Sequence, residues 1–163
     1  MSALHQSGIH LFGKMKIKLS EFNHDFLKLS FIWLNDPEIK ELTNTPVFTK
    51  ESQLSWFESL KERKDYLVWG IMSGATPVGV CGLKKITLVD CEYWGYIGEK
   101  SYWGKGIGKT IMNLMEAEAR KLNLKSIWLQ VIADNERAVK LYLKAGYLIE
   151  KKEQDFFYMR KEL

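Results

Sequence analysis

The stretch that decides the reading is WGKGIGKTIMNLMEAEARKL, Trp103 to Leu122. Gly104, Gly106 and Gly108 stand at every second position, with Lys105 between the first two and Lys109 directly after the last. Alternate glycines let backbone N–H groups turn toward one point with no Cβ in the way, which makes an anion cradle. Ile107, Ile111, Leu114, Met115, Glu118 and Leu122 follow at helical spacing. A helix opening inside the cradle adds its unsatisfied N–H groups and the positive end of its dipole. Phosphate oxygens are the natural guest, so a phosphorylated cofactor is expected here.

Outward from this stretch, MKIKLSEF (15–22) alternates apolar and polar residues and reads as a strand. HDFLKLSFIWLND (24–36) has helical spacing and stops at Asp36-Pro37, with a short helical piece through PEIKELT. Thr49 opens TKESQLSWFESLKERK, a helix with an acidic first turn whose Leu54, Trp56, Phe57 and Leu60 are expected to face inward. DYLVWGIM (65–72), VGVCGLKKITLV (78–89) and CEYWGYIGEK (91–100) read as strands, the last ending at the cradle. After the long helix come the strand SIWLQVIA (126–133), the helix NERAVKLYLKAGY (135–147) closed by Gly146, and a final pair of strands. The order is β-α-α-β-β-β-α-β-α-β-β. It predicts one α/β domain over residues 15–163, of the α+β kind: a mixed six- to seven-stranded sheet flanked by about four helices.

A chain of 163 residues suits one domain. Residues 1–14 have no apolar run of signal-peptide length and read as a disordered leader or a start-site artefact. Net charge is +4, from 24 basic and 20 acidic residues well mixed, so no nucleic-acid tail is indicated. No apolar run of about 18 residues is present, so no membrane span is expected. Cys81 and Cys91 have neither CxxC nor zinc spacing, and buried free thiols in a reduced, cytoplasmic setting are expected. His5, His10 and His24 are the only histidines, which disfavours a Ser-His-Asp hydrolase or a multi-histidine metal site, and no metal is expected.

Two familiar glycine motifs fail. The dinucleotide fingerprint GxGxxG would need a glycine where Lys109 or Ile111 stands. Gly108-Lys109-Thr110 matches the end of a Walker A loop, and Asp134 follows an apolar strand as a Walker B acid would. The loop is nevertheless one residue short, with Trp103 in place of its first glycine, and too little chain follows for the usual parallel sheet.

The segment YWGKGIGKTIM, with ADNERAVKLYLKAGY at the proper distance after it, resembles the GNAT superfamily of acetyl-CoA-dependent N-acetyltransferases, whose signature is R/Q-x-x-G-x-G/A at the start of the longest helix. Gly106 and Gly108 match its glycines, and Trp103 replaces the Arg or Gln, a form familiar in the branch resembling ribosomal-protein alanine N-acetyltransferases. The resemblance spans about residues 15 to 161. It implies a GNAT-like fold and acetyl-CoA as co-substrate, with the diphosphate on Trp103, Gly104, Lys105, Gly106, Ile107, Gly108 and Lys109. The pantetheine would lie along the main chain of Tyr96, Ile97 and Gly98 and against Asn135. Tyr142, two turns beyond Asn135, would protonate the departing thiolate.

A protonated amine cannot attack a thioester, and a free amine has a pKa of about 8 to 10. The proton acceptor is expected to be Glu92, with Glu99 a weaker candidate and water the alternative. Asp36, Glu38 and Glu41 cluster where a cationic acceptor would enter, or form a solvated loop. The expected partners are acetyl-CoA and a primary amine attacking directly in a ternary complex. That amine is a protein N-terminal α-amine or an amino sugar of a nucleotide-sugar pathway, in a monomer or homodimer. A non-catalytic acyl-CoA sensor is the alternative of another class.

Overall fold

Seven strands form one sheet, and the computed structural model describes residues 16–163 of the chain; the expected leader lies outside the described residues. In chain order the elements are β1 (Ile17–Glu21), α1 (His24–Asn35), α2 (Pro37–Thr43), α3 (Lys50–Ser59), β2 (Leu67–Ser73), β3 (Thr76–Lys84), β4 (Asp90–Ile97), α4 (Ile107–Lys121), β5 (Ser126–Ile132), α5 (Glu136–Lys144), β6 (Leu148–Glu153) and β7 (Phe156–Glu162). The sheet runs β1-β2-β3-β4-β5-β7-β6, antiparallel at every junction except β4–β5. That parallel pair has α4 as its crossover, as parallel strands require.

Most helices start where a short polar side chain takes the orphan N–H groups. Asn23 accepts from Asp25 and Phe26, and Asp36 accepts from Glu38 and Ile39 ahead of Pro37. Thr49 and Ser52 form a reciprocal capping box, and Asn135 accepts from Ala138. Helix α4 is the exception: Gly106 stands at its N-cap and offers no side chain.

The core lies on both faces of the sheet. On one face Phe22, Phe26, Leu27, Trp33 and Ile39 gather from β1 to α2 with Val80 of β3. On the other, Ile107, Ile111, Met112, Met115 and Ala119 of α4 pack with Cys81, Cys91, Ile127, Leu129 and Met159 of the strands. Tyr142 and Val139 of α5 lie against this second cluster.

Several boundaries differ from expectation. The strand expected over 78–89 stops at Lys84, because Lys85 takes a positive φ of 51° and Thr87 then folds back on Asp90. Leu88 and Val89 are left exposed. Leu54 and Leu122 are exposed rather than inward, and α3 contributes no fully buried residue. Helix α4 instead buries Met112, Ala119 and Glu116, the last paired with Lys161 at 2.8 Å. Among the described residues five α-helices stand where about four were expected, residues 37–43 forming one of their own. No helix among the described residues is long and apolar enough to cross a membrane.

Candidate active site

The parallel pairing of β4 with β5 lasts only three rungs: Asp90 with Ser126, Cys91 with Ile127 and Glu92 with Trp128. Beyond them the two strands part, and a cleft opens through the plane of the sheet. Successive residues of a strand turn N–H and C=O to opposite sides. The N–H of Gly98 donates to Val78 O at 2.8 Å, and Tyr96 pairs with Val80 in the same register, so both turn their main chain toward β3. Tyr93, Gly95 and Ile97 turn theirs toward the side that β5 has left. Of the expected trio Tyr96, Ile97 and Gly98, Ile97 alone faces the cleft. Its carbonyl accepts the Trp103 indole N–H at 2.9 Å, which leaves the N–H. Gly98 serves differently, since a Cβ there would collide with the Trp33 ring.

The cradle is open. Gly104 and Gly106 have φ of +73° and +78°, the left-handed region that favours glycine, and a Cβ on either would meet nothing within 4 Å. Both are exposed, as are Lys105 and Lys109, while Ile107 anchors the helix start in the core. No side chain caps α4, so the N–H groups of Ile107, Gly108 and Lys109 await a partner. Gly108 lends the cradle its N–H alone, and its missing Cβ faces elsewhere. A Cβ there would lie 2.6 Å from Leu141 Cδ2, so this glycine lets α4 approach α5.

One basic residue escaped the sequence reading. The Arg137 guanidinium, from the first turn of α5, stands 5.3 Å from the centre of the Trp103 ring, with Lys100 5.9 Å from the same ring. Arg137 thus reaches across the mouth of the cleft. In the sequence it reads as an ordinary solvated helix position.

Tyr142 lies on the α4–α5 side, edge-on to Tyr93 at 6.3 Å and tilted against Tyr147 at 6.1 Å. Burial pushes its phenol up to about 12, so it holds its proton at neutral pH and can donate it. The Asn135 side chain accepts from Ala138 N–H at 3.3 Å through its oxygen, and its NH₂ group is left to donate.

Glu92 follows Cys91 and precedes Tyr93, so its side chain points to the opposite face from theirs. It is buried at 4% exposure, with Lys85 Nζ 3.0 Å from Oε1 and Lys84 Nζ 3.5 Å from Oε2. Lys85 approaches off the axis a hydrogen bond needs, leaving Oε1 sealed and ion-paired without a hydrogen-bond donor. Glu99 accepts the Trp33 indole N–H at 3.0 Å. Asp36 and Glu38 are taken by Lys100, at 2.9 and 3.6 Å; this hydrogen-bonded ammonium holds the Asp36 carboxyl below its usual range. Lys100 thus offsets one of the three acidic charges expected at the entrance, and Glu41 is exposed with no ion pair among the described residues. Trp94 and Tyr96 stack at 6.5 Å along this face, with Trp33 edge-on to Tyr96 and Tyr66 edge-on to Trp94.

Both cysteines are free and buried. Burial pushes Cys91 up to about 12 and Cys81 further, so neither supplies a thiolate.

The model of the acetyltransferase (GNAT) family matches residues 30–147, from within α1 past the end of α5. The chain belongs to the GNAT family. This GNAT acetyltransferase is 27% identical to acetyltransferase PseH of Campylobacter jejuni over 147 residues, 89% of this chain and 92% of the relative. A crystal structure of the Campylobacter jejuni N-acetyltransferase PseH in complex with acetyl coenzyme A has a TM-score of 0.72 at 22% identity. The match covers 90% of this chain and 99% of that one. Spermidine N-acetyltransferase from Vibrio cholerae, in complex with CoA and spermine, has a TM-score of 0.81 at 19% identity, covering 90% and 95%. The mixed seven-stranded sheet is the fold these acetyltransferases share.

Proposed function

We propose that this GNAT enzyme moves the acetyl group of acetyl-CoA to the single primary amine of an amino sugar of the nucleotide-sugar class, by direct attack in a ternary complex. The observation that carries the acceptor reading is the surplus cation beside Glu92, on the face of the sheet that bears α1 to α3 and the Trp94–Tyr96 stack. Glu92 is held by two lysines, Asp36 and Glu38 share Lys100, and Glu99 is held by an indole. The surplus cation beside Glu92 and the Trp94–Tyr96 stack favour an anionic acceptor with a ring to lay against aromatic surface.

In this reading the N–H groups at the start of α4 and around Gly104 and Gly106 hold the diphosphate, with Lys105 and Lys109 adding screened charge. The pantetheine adds as a strand along the cleft-facing groups of Tyr93, Gly95 and Ile97, and the Asn135 NH₂ donates to it. The acceptor nitrogen attacks the thioester carbon from the aromatic face, the C–N bond forms and the C–S bond breaks. Tyr142, from the opposite face, gives its proton to the sulfur. Glu92, directly or through water, takes the proton the nitrogen sheds. Acid and base thus act from opposite sides of the sheet.

The test is thiol release from acetyl-CoA with four amines: a UDP-linked amino sugar, spermidine, an aminoglycoside, and a peptide with N-terminal alanine. The highest kcat/KM is expected for the nucleotide-linked sugar. Faster turnover of the peptide would restore the protein α-amine, the second reading, and faster turnover of spermidine would overturn both.

A further inference from the structure

Tyr93 is the first residue of β4 past the last rung shared with β5, at the apex of the cleft. Its ring is buried, with 6% of the residue exposed, and it packs edge-on to Tyr142. Its hydroxyl reaches forward beneath Gly95, where an added Cβ would lie 2.6 Å from Tyr93 Oη. Among the described residues the Tyr147 phenol is sealed and without a partner. Among the same residues the Tyr93 hydroxyl also has no protein partner, yet it is not among the sealed atoms. A nine-tenths-buried phenol, kept unpaired beside a glycine whose main chain faces the cleft, has the placement of a donor awaiting a substrate oxygen.

We propose that Tyr93 is a second hydroxyl donor to the thioester, its Oη–H holding the carbonyl oxygen at the apex while Tyr142 serves the sulfur. The inference rests on the reading of the cleft as the acetyl-CoA site. Attack by the amine moves the carbonyl π electrons onto oxygen, and collapse returns them as the C–S bond breaks. The Tyr93 hydrogen bond strengthens while that charge is present, and its proton stays on the phenol throughout. Burial raises this phenol well above its ordinary value of 10.0, so it remains a donor wherever the enzyme works. Gly95 belongs to the same device, because a side chain there would push the hydroxyl aside.

Tyr93→Phe keeps the ring and removes the donor. With the fastest amine of the panel above, kcat is expected to fall on the order of 100-fold. The KM for acetyl-CoA, the Kd for CoA and the Tm should stay near wild type. Gly95→Ala should lower kcat in the wild-type background and add little to Tyr93→Phe. Independently of any acceptor, ζ-¹³C-tyrosine labelling gives a resonance for Tyr93, and acetyl-CoA should move it further than free CoA does. Wild-type kcat in Tyr93→Phe would overturn the proposal, as would a loss that tracks Tm. A Tyr93 resonance unmoved by acetyl-CoA that binds would overturn it too, and would decide the matter if the variant failed to fold. Absence of any acetyl-CoA binding would instead remove the reading of the cleft, and this proposal with it.

Discussion

Gly106 and Gly108 stand two positions apart in one motif, and substitution should do different things at each. Gly106 has φ of +78° with open space around its missing Cβ, so the first added carbon of Gly106→Glu meets no atom of the protein. Its backbone penalty is that of a left-handed residue, about 1–2 kcal/mol. The new carboxylate stands where the diphosphate is held. At roughly 6 Å, with an effective dielectric between about 20 and 80, repulsion is about 0.7–2.8 kcal/mol for each phosphate charge. Two such charges weaken CoA by about tenfold to about ten-thousandfold. Gly108→Val instead drives a side chain toward Leu141 Cδ2, 2.6 Å from the first added carbon. Overpacking of this kind costs about 1–3 kcal/mol, and each kcal/mol lowers Tm by about 2–4 °C in a domain of this size. Calorimetry with CoA and thermal melts on both variants separate the two effects. Part of the Gly106→Glu penalty should also vanish at about 1 M salt, where screening shortens to about 3 Å. Wild-type CoA affinity in Gly106→Glu would refute the cradle. A Gly108→Val protein that melts normally yet loses CoA as badly would refute the division between the two glycines.

Other outcomes follow from the same geometry. Tyr142→Phe should lower kcat by about 100-fold or more while the CoA Kd changes little; unchanged kcat in steady-state kinetics removes Tyr142 from the chemistry. Glu92→Gln should lower kcat on the order of 100-fold with the CoA Kd little changed, and an unaltered kcat retires Glu92 as the proton acceptor. Five of the seven tyrosines have raised phenol pKa values: Tyr66 and Tyr142 at about 12, and Tyr93, Tyr96 and Tyr147 higher. Unfolding returns them toward 10.0, so their contribution to stability is present below that pH and is lost as pH rises toward the folded values. Phenolate absorbance should therefore rise together with loss of helix signal above pH 10; ionisation of these five in a still-folded protein would contradict the burial.

The cradle was legible because its chemistry is local: alternate glycines, flanking lysines and a following apolar period are all written within Trp103 to Leu122. The sequence could not say which glycine did what, since Gly106 and Gly108 look alike until Leu141, a residue of another helix, is brought beside one of them. The trio Tyr96, Ile97 and Gly98 was placed at the right strand end, but which of them faces the cleft depends on the β3 register. That is a non-local fact, fixed by Gly98 meeting Val78. The acidic entrance was legible only in part, for the same reason. Asp36 and Glu38 read as free charge until Lys100, sixty-odd positions away, lies across both. Arg137 and Tyr93 were missed because a cation in a first helical turn and an aromatic in a strand are ordinary there. Their meaning lies in Trp103 and Gly95, which the fold brings against them.

The cleft itself depends on where strand pairing stops, and Arg160 of β7 bolts the closed end. Its Nη1 donates to Asp90 Oδ2 at 3.0 Å and to Ser126 Oγ at 2.7 Å, joining the two residues of the first parallel rung. Its Nε donates to Glu150 of β6 at 2.8 Å. Arg160 and Asp90 are 27% and 23% exposed in their side chains, so solvent screens the pair only in part. Arg160→Met keeps most of the stem and removes all three bonds, leaving Asp90 and Ser126 without this partner. The loss should be about 1–3 kcal/mol, read as a Tm lower by several degrees. A purely structural bolt would change nothing else. If three rungs are all that set the apex, fraying the first lets the banks shift, Tyr93 and Tyr142 no longer converge on one point, and the KM for acetyl-CoA rises with kcat falling. An Arg160→Met enzyme that melts earlier yet keeps both constants would show that the apex is held from the Tyr93–Tyr142–Tyr147 side alone.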